Sequence, residues 1–247
     1  MKKPEKWIES QVETKQGTAI VYHPAGHPAE NFIRALGNKF EFPTKNDRPP
    51  TKNQEGVAFS RMGKRGVVLK SFTPFLHWVD EQKIELQLAK DHVKMFKHLN
   101  EQNASVGVPL AVIHFPAKKQ SNEVTKTRTL IMTLRHNAPT LRKFLASNAS
   151  YDHKLQVANS AFRLLGRLHA LGYVHLDVHD ENILVVGKKA KLIDSHGVHN
   201  AENSGFIRFS FDGLISNLRQ FDKEDRNKFE LVYRDSFEKA KTARENR

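Results

Sequence analysis

His175, Asp177, His179, Asn182, Asp194 and His196 crowd one stretch of the chain, GYVHLDVHDENILVVGKKAKLIDSHG. Carboxylate and carboxamide oxygens are hard donors, the kind that an octahedral divalent cation such as magnesium prefers. Zinc is the poorer match: the triplet His175-x-Asp177-x-His179 has no third ligand at a recognisable zinc spacing. The chain contains no cysteine, which excludes disulfides, thiolate metal sites and cysteine nucleophiles. The bland alternative for this stretch is a loop whose Asp and Asn side chains cap turns.

The flanking elements are what must hold these side chains in place. A helix is predicted over roughly 152–171, with Val157, Ala161, Leu164, Leu165 and Leu168 as its apolar stripe. A short helix, TLRKFLAS (140–147), precedes it. ILVV (183–186) and AKLI (190–193) form a hairpin around a GKK turn. Upstream, VAFSRM and VVLKSF form a second hairpin joined by GKRG. Residues 80–102 have helical spacing, with Ile84, Leu88, Phe96 and Leu99 near one face. GVPLAVIHF (107–115) and TLIMTL (129–134) read as strands joined by a basic loop, and TAIVYH (18–23) as another strand. PTKNDRPPTKNQEG (43–56) reads as a loop, while the rest of residues 1–55 carries no clear signal. Residues 209–245 are predicted helical. Strands with one helix first, then a helical half with one small hairpin, make the fold class α+β, with a boundary near 134–139.

The 247 residues include 40 Lys and Arg against 27 Asp and Glu, a formal net charge of +13. Such a surface suits an anionic partner or is simply a solvated basic face. With 38% hydrophobic and 27% charged residues, a packed core is expected rather than disorder. The basic N-terminus has no apolar core behind it, so no secretory signal is expected. No run approaches the ~20 apolar residues of a membrane span. The lack of cysteine fits a reducing cytosol.

Several of these motifs occur in an order that resembles the protein-kinase-like superfamily. His175-x-Asp177-x-x-x-x-Asn182 is similar to the catalytic loop H-R-D-L-x-x-x-N, and Ile193-Asp194 to the later D-F-G aspartate. Val67-Val68-Leu69-Lys70 resembles the V-A-I-K strand, and a glutamate-bearing helix follows it. LLGRLHALGYVH looks like the helix that leads into that loop. The resemblance spans about 60–235. Within it, Asp177-Val178-His179 departs from the D-L-K of protein kinases, and Ile193-Asp194-Ser195-His196 is similar to the I-D-x-H of lipopolysaccharide core heptose kinases. FDGLISNL followed by DRNKFELVY resembles that family's C-terminal ending. The chain thus resembles the lipopolysaccharide core (Kdo/heptose) kinase family.

That resemblance implies a two-lobed protein-kinase-like fold. Residues 1–134 would be a nucleotide-binding N-lobe with an antiparallel sheet and one main helix; residues 135–247 would be a mostly helical C-lobe. It implies ATP and Mg²⁺ as cofactors and transfer of the γ-phosphoryl group to a hydroxyl, on a core sugar. Asp177 would accept or orient the proton of that hydroxyl, and Asn182 and Asp194 would hold Mg²⁺. Lys70 would contact the nucleotide phosphates, partnered by Glu85 or Glu81. His179 and His196 would contact substrate, His175 would brace the loop, and Asp212 would anchor the loop backbone. The expected partners are ATP and an anionic glycolipid, met by a cytoplasmic protein peripheral to the inner membrane; nucleic acid is not favoured, because the basic loops lack interleaved aromatics. Two alternatives stand: a small atypical serine/threonine protein kinase, and a catalytically dead kinase-fold binding module. One departure bears on nucleotide grip, since no G-x-G-x-x-G loop precedes Lys70.

Overall fold

The computed structural model describes residues 6–15, 17–36, 57–62, 64–72, 81–102, 104, 107, 109–116, 119–120, 123–124, 128–193, 198–201 and 204–246. They divide into two compact units, one of residues 1–95 and 108–136 and the other of residues 96–107 and 137–247.

The first unit is built on β1 (Trp7–Thr14), β2 (Gly17–Pro24), α1 (Ala29–Leu36), β3 (Val57–Met62), β4 (Arg65–Phe72), the start of α2 (Glu81–Glu101), β5 (Pro109–Phe115), β6 (Lys119–Gln120), β7 (Glu123–Val124) and β8 (Arg128–Leu134). Six strands form one sheet in the order β1-β2-β5-β8-β4-β3, and every neighbouring pair is antiparallel. β6 and β7 pair as a small hairpin of their own, inside the segment expected to be a basic loop.

Alternation along the strands divides the sheet into two apolar faces. Val21, Val67, Leu69, Ala111, Ile113 and Met132 pack with Phe32 of α1. Val112 and Ile131 of the other face pack with Leu86, Ala89 and Val93 of α2. The buried stripe of α2 is therefore Leu86, Ala89, Val93, Phe96 and Leu99, with Leu88 half-buried beside it. Phe96 and Leu99 of the expected stripe are buried and Leu88 packs at its margin, while the side chain of Ile84 lies outside the described ones. Small Ala89 and β-branched Val93 fill the stripe because the sheet beneath leaves room for them. β1 and α1 fall in the part of the sequence that carried no clear signal. β1 is an edge strand whose side chains alternate between half-buried and exposed, which leaves only a weak apolar period to read.

The second unit holds the end of α2, then α3 (Leu141–Leu145), α4 (Tyr151–Ala170), β9 (Tyr173–His175), β10 (Ile183–Val186), β11 (Lys189–Leu192), β12 (Val198–Asn200), α5 (Ser204–Ser216) and α6 (Lys223–Glu245). The expected C-terminal helical region is two helices. Asp222 caps the second by accepting the Asp225 N–H at 2.9 Å, satisfying one of the orphan amides of its first turn. α4 starts on the Ser150 cap and buries all five residues of its expected stripe. It ends at Gly172, whose φ of +82° is the left-handed turn that only glycine adopts freely. That turn feeds β9, which pairs antiparallel with β12.

α6 lies along α4, and Phe162 stacks on Phe229 with ring centroids 5.0 Å apart. Burying such a ring contributes ~1.5–3 kcal/mol. The closest approach is at Gly166, where a β-carbon would stand 2.6 Å from the Tyr233 carbonyl oxygen. Beside it, the imidazole of buried His169 joins three helices: Nδ1 is 2.9 Å from the Tyr233 hydroxyl and Nε2 is 3.2 Å from Ser210 Oγ. Burial pushes His169 down to about 3 and Tyr233 up to about 12, so both are neutral and each fills a hydrogen-bonding role in the core.

Candidate active site

The stretch singled out by residue type is the loop between β9 and β10. His175, at the end of β9, is fully buried. Its Nδ1 accepts the Asp177 N–H at 3.3 Å, which leaves the ring proton on Nε2 to be donated to the Ile193 carbonyl at 3.4 Å. His175 thus braces the loop against the residue that follows β11.

Asn182 closes the loop from the other end. Its amide nitrogen donates to the Asp177 carbonyl at 2.9 Å and to Asp177 Oδ2 at 3.1 Å. Its own backbone N–H donates to His179 O at 3.0 Å, and Ile193 N–H donates to Asn182 O at 2.9 Å. Both hydrogens of the amide are taken by Asp177, and among the described residues nothing donates to Asn182 Oδ1. That carbonyl oxygen is left over as a hard donor. The Asp177 side chain is 67% exposed, so its carboxylate is held by Asn182 on one side and open to a substrate on the other.

His179 accepts the Glu181 N–H on Nδ1 at 3.2 Å, which puts its ring proton on Nε2. That nitrogen lies 3.0 Å from Asn182 Nδ2. Asp177 Oδ2 lies 3.7 Å from the same imidazole nitrogen, outside hydrogen-bond distance but close enough for its charge to be felt. His179 therefore belongs to the immediate surroundings of the Asp177 carboxylate.

Arg142 pins this loop from outside through Asp180, and neither residue was singled out from the sequence. Buried Asp180 accepts from Arg142 of α3, at 3.1 and 3.2 Å from Nε and at 2.9 Å from Nη2. Arg142 also donates to Glu181 at 2.8 Å and, through its backbone N–H, to Asp180 O at 3.1 Å. These hydrogen bonds raise the Arg142 guanidinium above its ordinary value, with Asp180 as the main cause. A planar guanidinium that grips one carboxylate at several points fixes its angle as well as its place. The two partners are 38 residues apart, and only an Asp-Glu pair after His179 hinted at the interaction.

Asp212 has a different partner from the one expected. It sits half-exposed on α5 and accepts from Arg208, one turn earlier, at 2.9 Å. The contact between α5 and the loop falls to its neighbour Gly213, where a β-carbon would lie 3.3 Å from the Val178 carbonyl. At this point α5 meets the Asp177 loop through glycine, and the expected aspartate anchor is paired with Arg208 instead.

Asp194 and His196 lie outside the described residues. Lys70 belongs to the first unit, half-buried on β4 and paired in register with Ile131 of β8. Paired residues share a face, and Ile131 packs against α2. Lys70 is therefore on the sheet face that α2 covers, opposite the face of Val67 and Leu69. Positions 81 and 85 are on the first turns of α2. At 3.6 residues per turn, position 85 falls nearer than 81 to the stripe of Leu86, Ala89 and Val93. No group of three or more His, Asp or Glu side chains gathers as a cation site among the described residues.

No family model matches the chain, and no curated protein matches its sequence. Its shape is shared more widely: 1519 solved chains match it, a breadth that makes fold a poor guide to substrate. One structure to which it is similar is WaaP in complex with acyl carrier protein. The two are 15% identical with a TM-score of 0.54, and the match covers 74% of this chain and 76% of that one. The likeness shows the fold, a two-lobed α+β architecture of the protein-kinase-like type.

Proposed function

We propose that the protein is an ATP- and Mg²⁺-dependent kinase that transfers the γ-phosphoryl group to a hydroxyl on a lipopolysaccharide core sugar. The observation that carries the reading is the Asp177–Asn182 pair, in which one amide fixes an exposed carboxylate while keeping its own carbonyl oxygen available. In this reading the acceptor hydroxyl donates its proton to Asp177 as its oxygen bonds to the γ-phosphorus. The bond to the β–γ bridging oxygen breaks, and ADP leaves. Little covalent help is needed from the protein, so positioning and charge neutralisation dominate.

Asn182 Oδ1 and Asp194 would hold the magnesium ion, whose chemistry is to neutralise charge on the nucleotide phosphates. Lys70 would meet the α- and β-phosphates, with Glu85 as its preferred partner and Glu81 as the other candidate. His179, beside the carboxylate, and His196 would contact the acceptor. Residues 1–134 would serve as the nucleotide lobe and 135–247 as the lobe of catalytic loop and acceptor. The similarity in fold to WaaP is compatible with this reading. The charge of +13 suits an acidic glycolipid at the inner membrane surface, met by a cytoplasmic, peripheral enzyme. Among the described residues no helix is long and apolar enough to cross a membrane.

The test is transfer of label from [γ-³²P]ATP to purified core lipopolysaccharide. Asp177→Asn should lower the rate by roughly 10²–10⁴-fold, the usual contribution of a positioned base. Label on added protein but never on glycolipid would move the acceptor to a polypeptide. No transfer to any acceptor, with Asp177→Asn indistinguishable from the parent, would sink the kinase reading.

A further inference from the structure

Away from the catalytic loop, the second unit carries a groove of about 960 Å³. α4 supplies Arg163 and Arg167, the β10–β11 turn supplies Lys188 and Lys189, and α6 supplies Lys239 and Arg244. Glu101 is the one acidic side chain among the lining residues. The chain as a whole has 40 basic residues to 27 acidic ones, so six against one is a local concentration rather than the average surface. Lys239 pairs with Asp235 at 2.9 Å, and Arg244 reaches the Ala170 carbonyl at the end of α4 at 3.5 Å. No described acidic side chain pairs with Arg163, Lys188 or Lys189. Arg163 and Arg167 are one helical turn apart, where like charges repel, and Lys188 adjoins Lys189. Such crowding is unfavourable until an anion enters it.

The walls are fixed by backbone contacts. Gly166 lets α6 run close against α4, and Ser160 Oγ of α4 accepts the Ala190 N–H of the hairpin at 3.0 Å. The shape selects among anions. The volume falls in the ~300–1,000 Å³ range of small-ligand sites, and a concave groove does not present its charges to a flat bilayer. Tyr173 is the one aromatic lining residue, too little for the stacking that a single-stranded nucleic acid uses. We propose that this groove binds a small polyanion carrying two or more phosphate groups, at a site separate from the Asp177 loop.

Isothermal titration of the full chain with inorganic tripolyphosphate, in EDTA, tests this without a metal–nucleotide complex at the catalytic loop. The expected result is saturable binding at about one site per chain, weakening as salt rises because exposed charges are screened beyond ~10 Å at 0.1 M. The exposed-turn variant Lys188→Gln/Lys189→Gln should bind roughly tenfold more weakly, since charge-assisted contacts to phosphate are lost. Arg163→Glu should weaken binding further, and Asp177→Asn should bind as the parent does. Absence of binding, indifference to the lysine and arginine changes, or loss in Asp177→Asn would each overturn the proposal. So would binding to phosphatidylglycerol vesicles or to RNA that tripolyphosphate does not displace.

Discussion

Replacing Gly166 by alanine sets helix propensity against packing. In an unobstructed helix interior the change would stabilise the protein by ~1 kcal/mol, because glycine loses more backbone entropy on folding and is the poorer helix former. At Gly166 the new methyl would meet the Tyr233 carbonyl oxygen at 2.6 Å, Phe237 N at 3.1 Å and Ser236 Cβ at 3.1 Å. Two of the three are backbone atoms of α6, and a methyl has no rotamer with which to avoid them. α6 must slide outward along an interface that also holds the Phe162–Phe229 stack and the His169–Tyr233 hydrogen bond. Overpacking of this kind costs ~1–3 kcal/mol, and forced displacement of backbone belongs at the upper end. The net expectation is a loss of about 1–2 kcal/mol, read as a lower urea midpoint by circular dichroism and a fall in Tm of about 2–4 °C per kcal/mol. Gly26→Ala is the control: nothing stands within 4 Å of its β-carbon position, and its midpoint should hold. A raised midpoint in Gly166→Ala would mean that α4 and α6 do not approach this closely.

Acid should weaken the protein through His169. Its native value of about 3 lies below the ordinary 6.5, so between those values the unfolded chain binds the extra proton and stability falls as pH falls. At pH 5 the loss is about 2 kcal/mol relative to pH 7.5, from ~1.4 kcal/mol per unit. Urea midpoints measured from pH 7.5 to 4 should show this slope, and His169→Gln should flatten it while being less stable at pH 7.5; an unchanged slope refutes the assignment. In the kinase activity proposed above, Arg142→Ala should act through Asp180. Loss of the grip that orients the loop should lower kcat on the order of 10–100-fold, with KM for ATP little changed, and Arg142→Lys should restore only part because a point charge cannot hold the carboxylate at several points. Equal losses in kcat and in ATP binding would count against a positioning role.

The elements most legible in the sequence were those with a strong local apolar pattern. α4 carried its stripe, and the β3–β4 and β10–β11 hairpins carried apolar arms that flank short turns. The loop of Asp177 was legible for a different reason: His175, Asp177 and Asn182 are bound to one another across seven or fewer positions, so their spacing is itself the geometry. The α2 stripe was legible at Leu88, Phe96 and Leu99, but Leu86, Ala89 and Val93 were added by the sheet that packs on them, and a small residue such as Ala89 carries little apolar signal. β1 is an edge strand with half-exposed side chains, which weakens the alternation that marks a strand.

What the sequence determined by itself was the short-range grouping of His175, Asp177 and Asn182 and the α+β order of elements that carries it. The tertiary structure alone decided how that grouping is held. Arg142 and Asp180 meet across 38 positions, and Asp212 pairs with Arg208 of its own helix while its neighbour Gly213 is the residue that packs near the Val178 carbonyl. The basic groove exists only where α4, α6 and the β10–β11 turn converge. Spacing within a few residues survives folding as geometry, whereas contact between distant segments depends on how whole helices and strands pack, and no local pattern records it.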